Sequence, residues 1–264
     1  MLNKIIRLIK KPSAERNRLI KLRIKMFSTL PFYFGKANLP FTFIAYQPDS
    51  QAHFNSHNEF YNLFKSFTLH NKFNNAGDVA RLWSFILNIK QILSENIVGD
   101  FAELGVWRGN TASVLAYYAA GANRKVYLFD TFKGFDSRDL EGVDKDKQIT
   151  FADTSLEMVK EVIGNPSDIC NFVKGYFPST VTDEHKATTY SIVSIDCDLY
   201  EPMKAGLEFF YPLMSKGGLL LLHDYSSLCW DGAKKAIDEF CAKNDEYPIL
   251  MPDKSGSAFI RKSR

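Results

Sequence analysis

Hydrophobic and polar positions follow no sustained period in the first 75 residues, and regular patterns begin only after them. Prolines stand at positions 12, 31, 40 and 48, and a stretch rich in Asn and His runs from His53 to Asn75. Proline and clustered polar residues interrupt helices and strands. We therefore predict two parts: residues 1–75 as a basic arm with an irregular cap segment, and residues 76–264 as the main domain.

Helical and strand patterns alternate from residue 78 onward. The stretch "DVARLWSFILNIKQILSEN" (78–96) has apolar residues at helical spacing, with Asp78 as the predicted N-cap. Helices are also predicted in "NTASVLAYYAAGA", "EPMKAGLEFFYPLM" and "WDGAKKAIDEFCAKN", and in "DTSLEMVKEVIGNP" with a capping box from Thr154 to Glu157. Buried strands are predicted in "GDFAELGV", "KVYLFDTF", "ICNFVKGYF", "YSIVSIDCD" and "LLLLHDY".

Continuously apolar strands separated by helices are typical of a parallel sheet that is buried on both faces. The last predicted pair of strands, in "YPILMPDKSGSAFIRK", surrounds a Lys-Ser-Gly-Ser turn and favours an antiparallel hairpin. We predict an α/β fold with a mostly parallel seven-stranded sheet, an antiparallel C-terminal hairpin and an N-terminal helical or irregular extension. This element order resembles the class I methyltransferase variant of the Rossmann fold.

Charge is distributed unevenly along the chain. Residues 1–37 carry ten Lys or Arg and one acid, so the remaining residues carry −6 of a total of +3. An acidic body is a poor binder of nucleic acid, which makes the basic arm a local feature. In "MLNKIIRLIKK" apolar residues at 2, 5, 6 and 9 oppose Lys and Arg. A solvated helix packed on a neighbouring subunit and a segment docked on an anionic membrane through residues 1–25 are the two alternatives.

Neither a membrane span nor a disulfide pattern is visible in the sequence. Charges interrupt every apolar run before the roughly 20 residues that a spanning helix needs. Four cysteines at positions 170, 197, 229 and 241 show no metal-ligand spacing, so we predict reduced thiols at or near the core. We expect a cytoplasmic protein, with peripheral contact at the inner membrane face as the alternative.

The turn after the first predicted strand, "ELGVWRGNT", carries the first candidate site. Trp107 stands where a dinucleotide-binding loop has its middle glycine, and the Lys-Ser/Thr of a P-loop is missing, so a phosphate ligand is disfavoured. Glu103 would repel phosphate but suits a cation such as S-adenosylmethionine. Asp130 ends the second strand, 25 residues after Gly105, where an acid takes ribose hydroxyls.

Two aspartates follow the fourth strand in "IVSIDCDLYEP". Asp196 and Asp198 are two residues apart, so an extended chain would direct both to one side. A metal site, a catalytic base and the polar end of a buried strand are the alternatives. For Asp198 we favour a role in the turn into the next helix, with a second metal ligand as the alternative. "FDSRDLEGVDKDKQI" predicts either a solvated loop or a lid over a hydroxyl-rich acceptor.

Three stretches together resemble one family. "GDFAELGVWRGNTA", "IDCDLYEP" with "GGLLLLHDY", and "FADTSLEMVKEVI" are similar to the macrocin O-methyltransferase (TylF-type) family, over residues 75 to 245. These enzymes use S-adenosylmethionine and a divalent cation to methylate sugar hydroxyls. The resemblance implies cofactor contacts for Glu103, Gly105, Gly109 and Thr111 (methionine portion), Asp130 and Thr131 (ribose), and Gly175 and Tyr176 (near the adenine). It implies metal ligation by Asp196 and Asp224.

The sequence departs from the family at two places. His223 stands where the family has the first Asp of an Asp-Asp pair, and residues 136–165 lack the family's lid histidine. Mg²⁺ prefers oxygen ligands, so either the two aspartates and waters hold the cation or His223 changes the site. We take His223 as a third candidate ligand, and His223 or Asp196 as the catalytic proton acceptor.

The resemblance implies an S-adenosylmethionine-dependent O-methyltransferase that needs a divalent cation, with Mg²⁺ expected, and acts on a sugar or glycosylated acceptor. It also favours a homo-oligomer. Two alternatives stay open. An NAD-dependent sugar-modifying oxidoreductase would use Tyr200 and Lys204, which stand at Tyr-x-x-x-Lys spacing. A non-catalytic scaffold would use the basic arm at a membrane surface.

Overall fold

The computed structural model describes residues 58–263. The predictions for residues 1–57, which include the basic arm and the amphipathic segment near its start, lie outside the described residues. Within residues 58–263, helices and strands alternate as the sequence predicts.

The helices and strands are numbered here in chain order. The helices are α1 (Asn58–Thr68), α2 (Lys72–Asn75), α3 (Val79–Ser94), α4 (Asn110–Gly121), α5 (Leu156–Ile163), α6 (Asp183–Ala187), α7 (Tyr200–Leu213) and α8 (Asp231–Asn244). The strands are β1 (Asp100–Leu104), β2 (Val126–Asp130), β3 (Cys170–Lys174), β4 (Tyr190–Ile195), β5 (Met214–Leu222), β6 (Ile249–Leu250) and β7 (Ala258–Arg261). Short 3₁₀ turns occupy Ser137–Asp139, Gly142–Asp144 and Asn165–Ile169.

The seven strands form one sheet in the order β3-β2-β1-β4-β5-β7-β6. The first five are parallel, and β7 runs antiparallel to both β5 and β6. The predicted α/β fold, with its C-terminal antiparallel pair, is confirmed. The chain reverses its direction of travel across the sheet between β1 and β4, which is where ligands bind in folds of this type.

Each central strand divides its side chains between two helical layers, because successive residues of a strand face opposite sides. In β5, Leu219 and Leu221 join the core formed with α1, α3, α4 and α5, whereas Leu220 and Leu222 join the core formed with α7 and α8. Apolar surface buried on both faces stabilises the sheet by roughly 25 cal/mol per Å². The polar carboxyl ends of the strands are left to form the site.

The structure corrects the prediction of irregular chain over residues 58–75. The α1 helix buries Phe60, Leu63 and Phe67 in the same core as α3 and α4. The Asn110 side chain ties α4 to the end of α1, because its amide donates to the carbonyls of Ser66 (3.0 Å) and Leu69 (2.9 Å). An aromatic stripe at helical spacing therefore outweighed the polar residues around it.

The structure confirms one predicted cap and corrects the other. Asp78 is the N-cap of α3, as predicted, although its carboxylate forms no capping hydrogen bond and pairs with Arg81. At α5 the N-cap is Ser155 and not Thr154: the Ser155 hydroxyl accepts from the Met158 amide at 3.1 Å, and Thr154 donates to the Trp107 carbonyl.

None of the helices between residues 58 and 263 has the length and apolar character to cross a bilayer. All four cysteines are free thiols, as their spacing predicted. Cys197 and Cys241 are buried and Cys170 is partly buried, but Cys229 is exposed and departs from the prediction of near-core thiols.

Candidate active site

A cavity of about 400 Å³ opens at the carboxyl ends of β1, β2, β4 and β5. Ten of the eleven residues predicted for the site line it: Glu103, Gly105, Thr111, Asp130, Thr131, Gly175, Tyr176, Asp196, His223 and Asp224. Residues far apart in the chain meet here because parallel strands all end at one edge of the sheet.

Gly109, the eleventh, is not among the residues that line the cavity, and its contact with the cofactor stays a prediction. Gly109 is the N-cap of α4 with φ +81°, and a Cβ there would lie 2.8 Å from Cγ1 of Val159. Position 109 requires a glycine because the loop packs closely against α5. Gly109 therefore shapes the loop beside the cavity.

Asp130 organises the loop after β1. Its Oδ2 accepts from the amides of Val106 (2.7 Å) and Trp107 (2.9 Å), and its Oδ1 accepts from the Phe132 amide (2.6 Å). Burial raises the pKa of Asp130, and the three backbone N–H groups oppose that rise. The carboxylate still has acceptor capacity on Oδ1. Its predicted bond to ribose stays a prediction.

Glu103 ends on a buried, unpaired carboxylate. The residue is 1% exposed, and its Oε2 has no hydrogen-bond partner among the described residues. Burial raises the pKa of Glu103 well above its ordinary value, with Asp196 and Asp130 adding to the rise and Arg81 and His223 opposing it. A buried carboxylate without a partner is costly, and a cationic ligand in the cavity would relieve that cost.

The wall after β3 holds the predicted adenine contacts. Tyr176 donates from its hydroxyl to Oδ1 of Asp139 at 2.8 Å, and the Arg138 guanidinium lies 3.6 Å from the ring centroid of Tyr176. Thr131 uses its hydroxyl locally, donating to the Gly134 carbonyl at 2.6 Å. Burial, the hydrogen bond to Asp139 and the charge on Asp139 raise the pKa of Tyr176 to about 12. At Tyr176, this wall of the cavity therefore consists of an uncharged aromatic side chain.

The predicted lid covers one side of the cavity through an aromatic cluster. Phe135 and Phe151 pack edge-on at 5.2 Å, and Trp230 from the loop before α8 packs on Phe135 at 5.6 Å. The Lys147 ammonium lies 5.0 Å from the Trp230 ring and donates to the Cys229 carbonyl. All three aromatic side chains line the cavity, which favours the lid over a purely solvated loop.

Three potential metal ligands converge in the same cavity as Glu103. One ligand atom from each of Asp196, His223 and Asp224 lies within 4.8 Å of the others. The Nδ1 atom of His223 is 2.8 Å from Oδ1 of Asp196 and 2.6 Å from Oδ2 of Asp224. Burial lowers the pKa of His223, but Asp196 and Asp224 outweigh it and produce a net rise, against the opposing charge of Arg81. The ring therefore lies among groups of both signs.

Asp198 belongs to this acid cluster, and its predicted role in the turn is wrong. It is 8% exposed, lines the cavity and shares a hydrogen bond with Asp224. Burial, followed by the charges on Asp196 and Asp224, raises the pKa of Asp198 well above its usual range. This rise favours the protonated form of Asp198, which can donate a hydrogen bond to Asp224. The start of α7 is capped by Asp144 instead, whose Oδ2 accepts from the Tyr200 amide at 2.7 Å.

Arg81 is a site residue that the sequence reasoning missed. This α3 arginine is 5% exposed, lines the cavity and contacts Nε2 of His223 through Nη1. Its guanidinium also donates to Oδ1 of Asn75 at 2.6 Å and pairs with Asp78 at 3.2 Å. The missed signal is helical spacing: Asp78, Arg81 and Phe85 share one face, so two opposite charges stand on the buried stripe of α3.

Other missed lining residues come from segments without a recognisable motif. Asn71 is the N-cap of α2, Asn74 and Asn75 lie within that helix, and Lys254 and Ser255 come from the turn before β7. Their polarity in the sequence is typical of loops, and only the fold brings them to the cavity.

Comparison with known proteins finds similar sequences over most of the described residues. A family profile described as macrocin O-methyltransferase (TylF) matches residues 76–262. A relative from Streptomyces niveus, demethyldecarbamoylnovobiocin O-methyltransferase, is 27% identical over 198 residues, which cover 70% of this chain and 74% of the relative. An 8-demethyl-8-(2,3-dimethoxy-alpha-L-rhamnosyl)-tetracenomycin-C 4'-O-methyltransferase from Streptomyces olivaceus is 27% identical over 165 residues. That alignment covers 58% of this chain and 61% of the relative's length.

Solved structures agree on the fold. The O-methyltransferase NovP superposes with a TM-score of 0.57 at 24% identity, covering 70% of this chain and 81% of NovP. The calicheamicin methyltransferase CalS11 superposes with a TM-score of 0.55 at 21% identity, covering 83% and 99% of the two chains. At these identities the likeness supports the class I O-methyltransferase fold.

Proposed function

We propose a function from one premise: this chain belongs to the macrocin O-methyltransferase (TylF) family. The proposed reaction is the transfer of a methyl group from S-adenosylmethionine to a hydroxyl of a sugar or glycosylated small molecule, with the help of a divalent cation. The observation that carries the proposal is that Glu103, a buried acid with one unpaired oxygen, and a cluster of further acids line one cavity. The name of the Streptomyces olivaceus relative gives a rhamnosyl-bearing tetracenomycin as its acceptor, and we extend a glycosylated acceptor to this chain as a proposal.

S-adenosylmethionine fits the loop side of this cavity. It supplies an electrophilic methyl group on a sulfonium, together with an ammonium, and Glu103 provides the buried negative charge that such a ligand requires. Gly105 and Thr111 line the same cavity, and a Cβ at Gly105 would overlap the backbone of Asp196. Tyr176 and Asp139 provide an aromatic face and a carboxyl group on the far wall.

The acid cluster fits a divalent cation by its chemistry. Asp196 and Asp224 offer carboxylate oxygens, which are the donors that Mg²⁺ prefers, and both line the cavity. A cation held there would lower the pKa of an acceptor hydroxyl. Asp198 donates to Asp224 and fixes the orientation of that carboxylate, as partners of metal ligands commonly do.

The chain's own groups then position and deprotonate the acceptor. The Asp196 side chain is 26% exposed, against 8% for Asp224, so it is the more accessible of the two carboxylates for receiving a proton. His223 is the weaker candidate for the base, because Nδ1 faces two carboxylates and Nε2 faces Arg81. Alignment of acceptor and methyl donor by the lid contributes on the order of 7–11 kcal/mol in reactions of this kind.

The NAD-dependent alternative loses its support from the site. Tyr200 and Lys204 lie on α7, where the Tyr200 hydroxyl donates to Glu239 at 2.6 Å, and neither residue lines the cavity. The scaffold alternative differs from the methyltransferase in its expected cofactor binding, because a non-catalytic scaffold would not need a cofactor site. A homo-oligomer, a cytoplasmic location and membrane contact through residues 1–25 remain proposals. Deleting residues 1–25 should release the protein from anionic liposomes, and unchanged binding would contradict that contact.

Calorimetric titration with S-adenosylmethionine, with and without Mg²⁺, tests the proposal, and NAD serves as the comparison ligand. We expect binding of S-adenosylmethionine and none of NAD. Failure to bind S-adenosylmethionine in both metal states would refute the methyltransferase assignment. The Asp196→Ala variant should then lose cation-dependent transfer while keeping cofactor affinity, and normal transfer by this variant would refute the cation site.

A further inference from the structure

His223 stands between the acid cluster and the buried guanidinium of Arg81. Its Nδ1 lies within hydrogen-bond distance of Asp196 and Asp224, at 2.8 and 2.6 Å. Its Nε2 contacts Nη1 of Arg81. Each ring nitrogen therefore has a defined neighbour, and those neighbours decide which nitrogen carries a proton.

Arg81 on one side and the two aspartates on the other favour the same position for the proton of the His223 ring. A guanidinium has five N–H donors and no acceptor, so its contact with Nε2 requires a lone pair on that nitrogen. Carboxylates only accept, so Asp196 and Asp224 require an N–H on Nδ1. In the neutral ring the proton is then on Nδ1. An imidazolium would carry a second proton on Nε2, facing the guanidinium of Arg81, whose charge opposes that form. A ring turned by 180° about its bond to Cβ would set carbon atoms against both partners.

A metal-bound histidine needs the opposite arrangement. It gives the lone pair of one nitrogen to the metal and donates the N–H of the other to a carboxylate, carbonyl or water. If Nδ1 bound a cation beside Asp196 and Asp224, Nε2 would carry the proton and would face a donor, Arg81. The buried environment of Arg81, at 5% exposure, offers Nε2–H no substitute acceptor among these contacts.

Arg81 cannot easily withdraw from this contact. Asp78 pairs with its Nε at 3.2 Å, Asn75 accepts from its Nη2 at 2.6 Å, and its guanidinium carbon lies 5.0 Å from the ring centroid of Phe67. Asp78 is itself held by the Lys254 amide, which donates to its Oδ1 at 3.2 Å. The arginine is thus fixed from three sides before it reaches the histidine.

We propose that Arg81 is a positioning residue that keeps the His223 proton on Nδ1, so that the site binds its cation through carboxylate oxygens alone. The inference rests on the proposed function for the presence of a cation, but the state of the ring is measurable without one. It assigns His223 as a donor that orients Asp196 and Asp224. The His-Asp pair is then compatible with Mg²⁺, because the imidazole is not a ligand.

The first experiment uses the metal-free, full-length protein labelled with ¹⁵N-histidine. Long-range ¹H–¹⁵N correlation spectra distinguish protonated from unprotonated ring nitrogens, and the His223→Asn variant identifies the His223 signals by their loss. We expect a protonated Nδ1 in His223. His185 provides the opposite case in the same spectrum, because its Nδ1 accepts from the Thr182 amide at 3.0 Å, which leaves the proton on Nε2. A His223 ring with an unprotonated Nδ1 overturns the proposal.

The second experiment probes the bound cation with Mn²⁺ and pulsed electron paramagnetic resonance. In the wild-type protein we expect no directly coordinated histidine nitrogen. In Arg81→Met the Nε2 becomes free to carry the proton, so nitrogen coupling should appear and the affinity for Zn²⁺ relative to Mg²⁺ should rise by about tenfold. Nitrogen coupling in the wild type that disappears in His223→Asn overturns the proposal, and so does an Arg81→Met variant with an unchanged ring and unchanged cation preference.

Matched variants separate positioning from folding. Arg81→Lys keeps a donor-only group and should keep Nδ1 protonated and the site free of nitrogen ligands. Arg124→Met removes an arginine at the opposite end of the sheet, where it donates to Ser191 at 2.8 Å, and should leave the His223 signals unchanged. If Arg81→Met does not fold, the wild-type spectrum and the Arg81→Lys variant still test the proposed role of Arg81. A protein that binds no Mn²⁺ contradicts the cation in the proposed function, whereas the ring measurement stands apart from it.

Discussion

An ideal Cβ on Gly105 would lie 2.0 Å from the backbone carbonyl oxygen of Asp196. The loop after β1 and the end of β4 therefore touch backbone to backbone, and this contact joins the proposed cofactor loop to the proposed cation site. Gly105 also has φ +86°, a conformation that residues with a Cβ rarely adopt. The proposed cofactor loop and the proposed cation site therefore both depend on the backbone contact at Gly105.

Replacing Gly105 with Ala should destabilise the protein and disturb both halves of the site. Strain at positive φ together with an overlap against backbone should lower the free energy of unfolding by at least about 2 kcal/mol. Denaturant unfolding, combined with titration of S-adenosylmethionine, measures both effects. Gly121→Ala is the matched control, because no atom lies within 4 Å of the added Cβ and the residue ends a helix. It should change stability by less than about 1 kcal/mol, and equal losses in the two variants would contradict the argument.

Glu103→Gln should bind S-adenosylmethionine at least about tenfold more weakly, because the neutral amide cannot pair with a cationic ligand. The ligand-free variant should nevertheless be more stable at high pH. Burial raises the pKa of Glu103 above its ordinary value of 4.5, so the native state holds a proton that the unfolded state has lost. This contribution lowers the free energy of unfolding as the pH rises above about 4.5.

The stability gain of Glu103→Gln should therefore be seen at pH 8 and should vanish near pH 4. Denaturant unfolding at both pH values measures it. Glu208→Gln is the control, since Glu208 is exposed on α7 with a side chain 51% accessible. A Glu103→Gln variant that is less stable than the wild type at pH 8 would show that the carboxylate has a partner in the ligand-free protein.

Asp198 should tolerate replacement by Asn far better than by Ala in metal-free protein at pH 7. Its raised pKa makes it a donor to Asp224, and the Asn amide is also a donor, whereas Ala leaves the buried Asp224 short of a partner. We expect Asp198→Ala to lose about 1–3 kcal/mol of unfolding free energy. Asp198→Asn should stay within about 0.5 kcal/mol of the wild type. Equal stabilities of the Asn and Ala variants would argue against the hydrogen bond.

Trp230→Ala should weaken binding of the acceptor more than binding of the cofactor. Trp230 packs on Phe135 of the lid at 5.6 Å and lines the cavity, so its loss opens the side assigned to the acceptor. We expect the KM for a glycosylated acceptor to rise about tenfold or more, with unchanged binding of S-adenosylmethionine by calorimetry. Leu228→Ala, fully exposed in the same loop, is the control and should leave both unchanged. A loss confined to cofactor binding would instead assign Trp230 to the cofactor part of the site.

Patterns within single segments determined most of the fold in advance. Apolar runs such as "LLLLHDY" predict buried parallel strands because both faces of the sheet are covered, and residues 219–222 do alternate between two cores. The last residues of those strands must then meet at one edge, which is why Glu103, Asp130, Asp196 and Asp224 could be grouped from sequence alone. The family motifs added the cofactor and the acceptor class.

The tertiary structure decided the residues whose role depends on a distant partner. Asp198 appeared to belong to the turn because its neighbours open a helix, yet Asp144 caps that helix from the lid segment and leaves Asp198 to Asp224. Arg81 carries no recognisable motif in the sequence, and only the packing of α3 beside β5 brings it to His223, 142 residues away. Sequence periodicity determines which face of an element is buried, because that depends on local geometry. Which charges meet inside depends on how the elements pack, and only the folded chain fixes that.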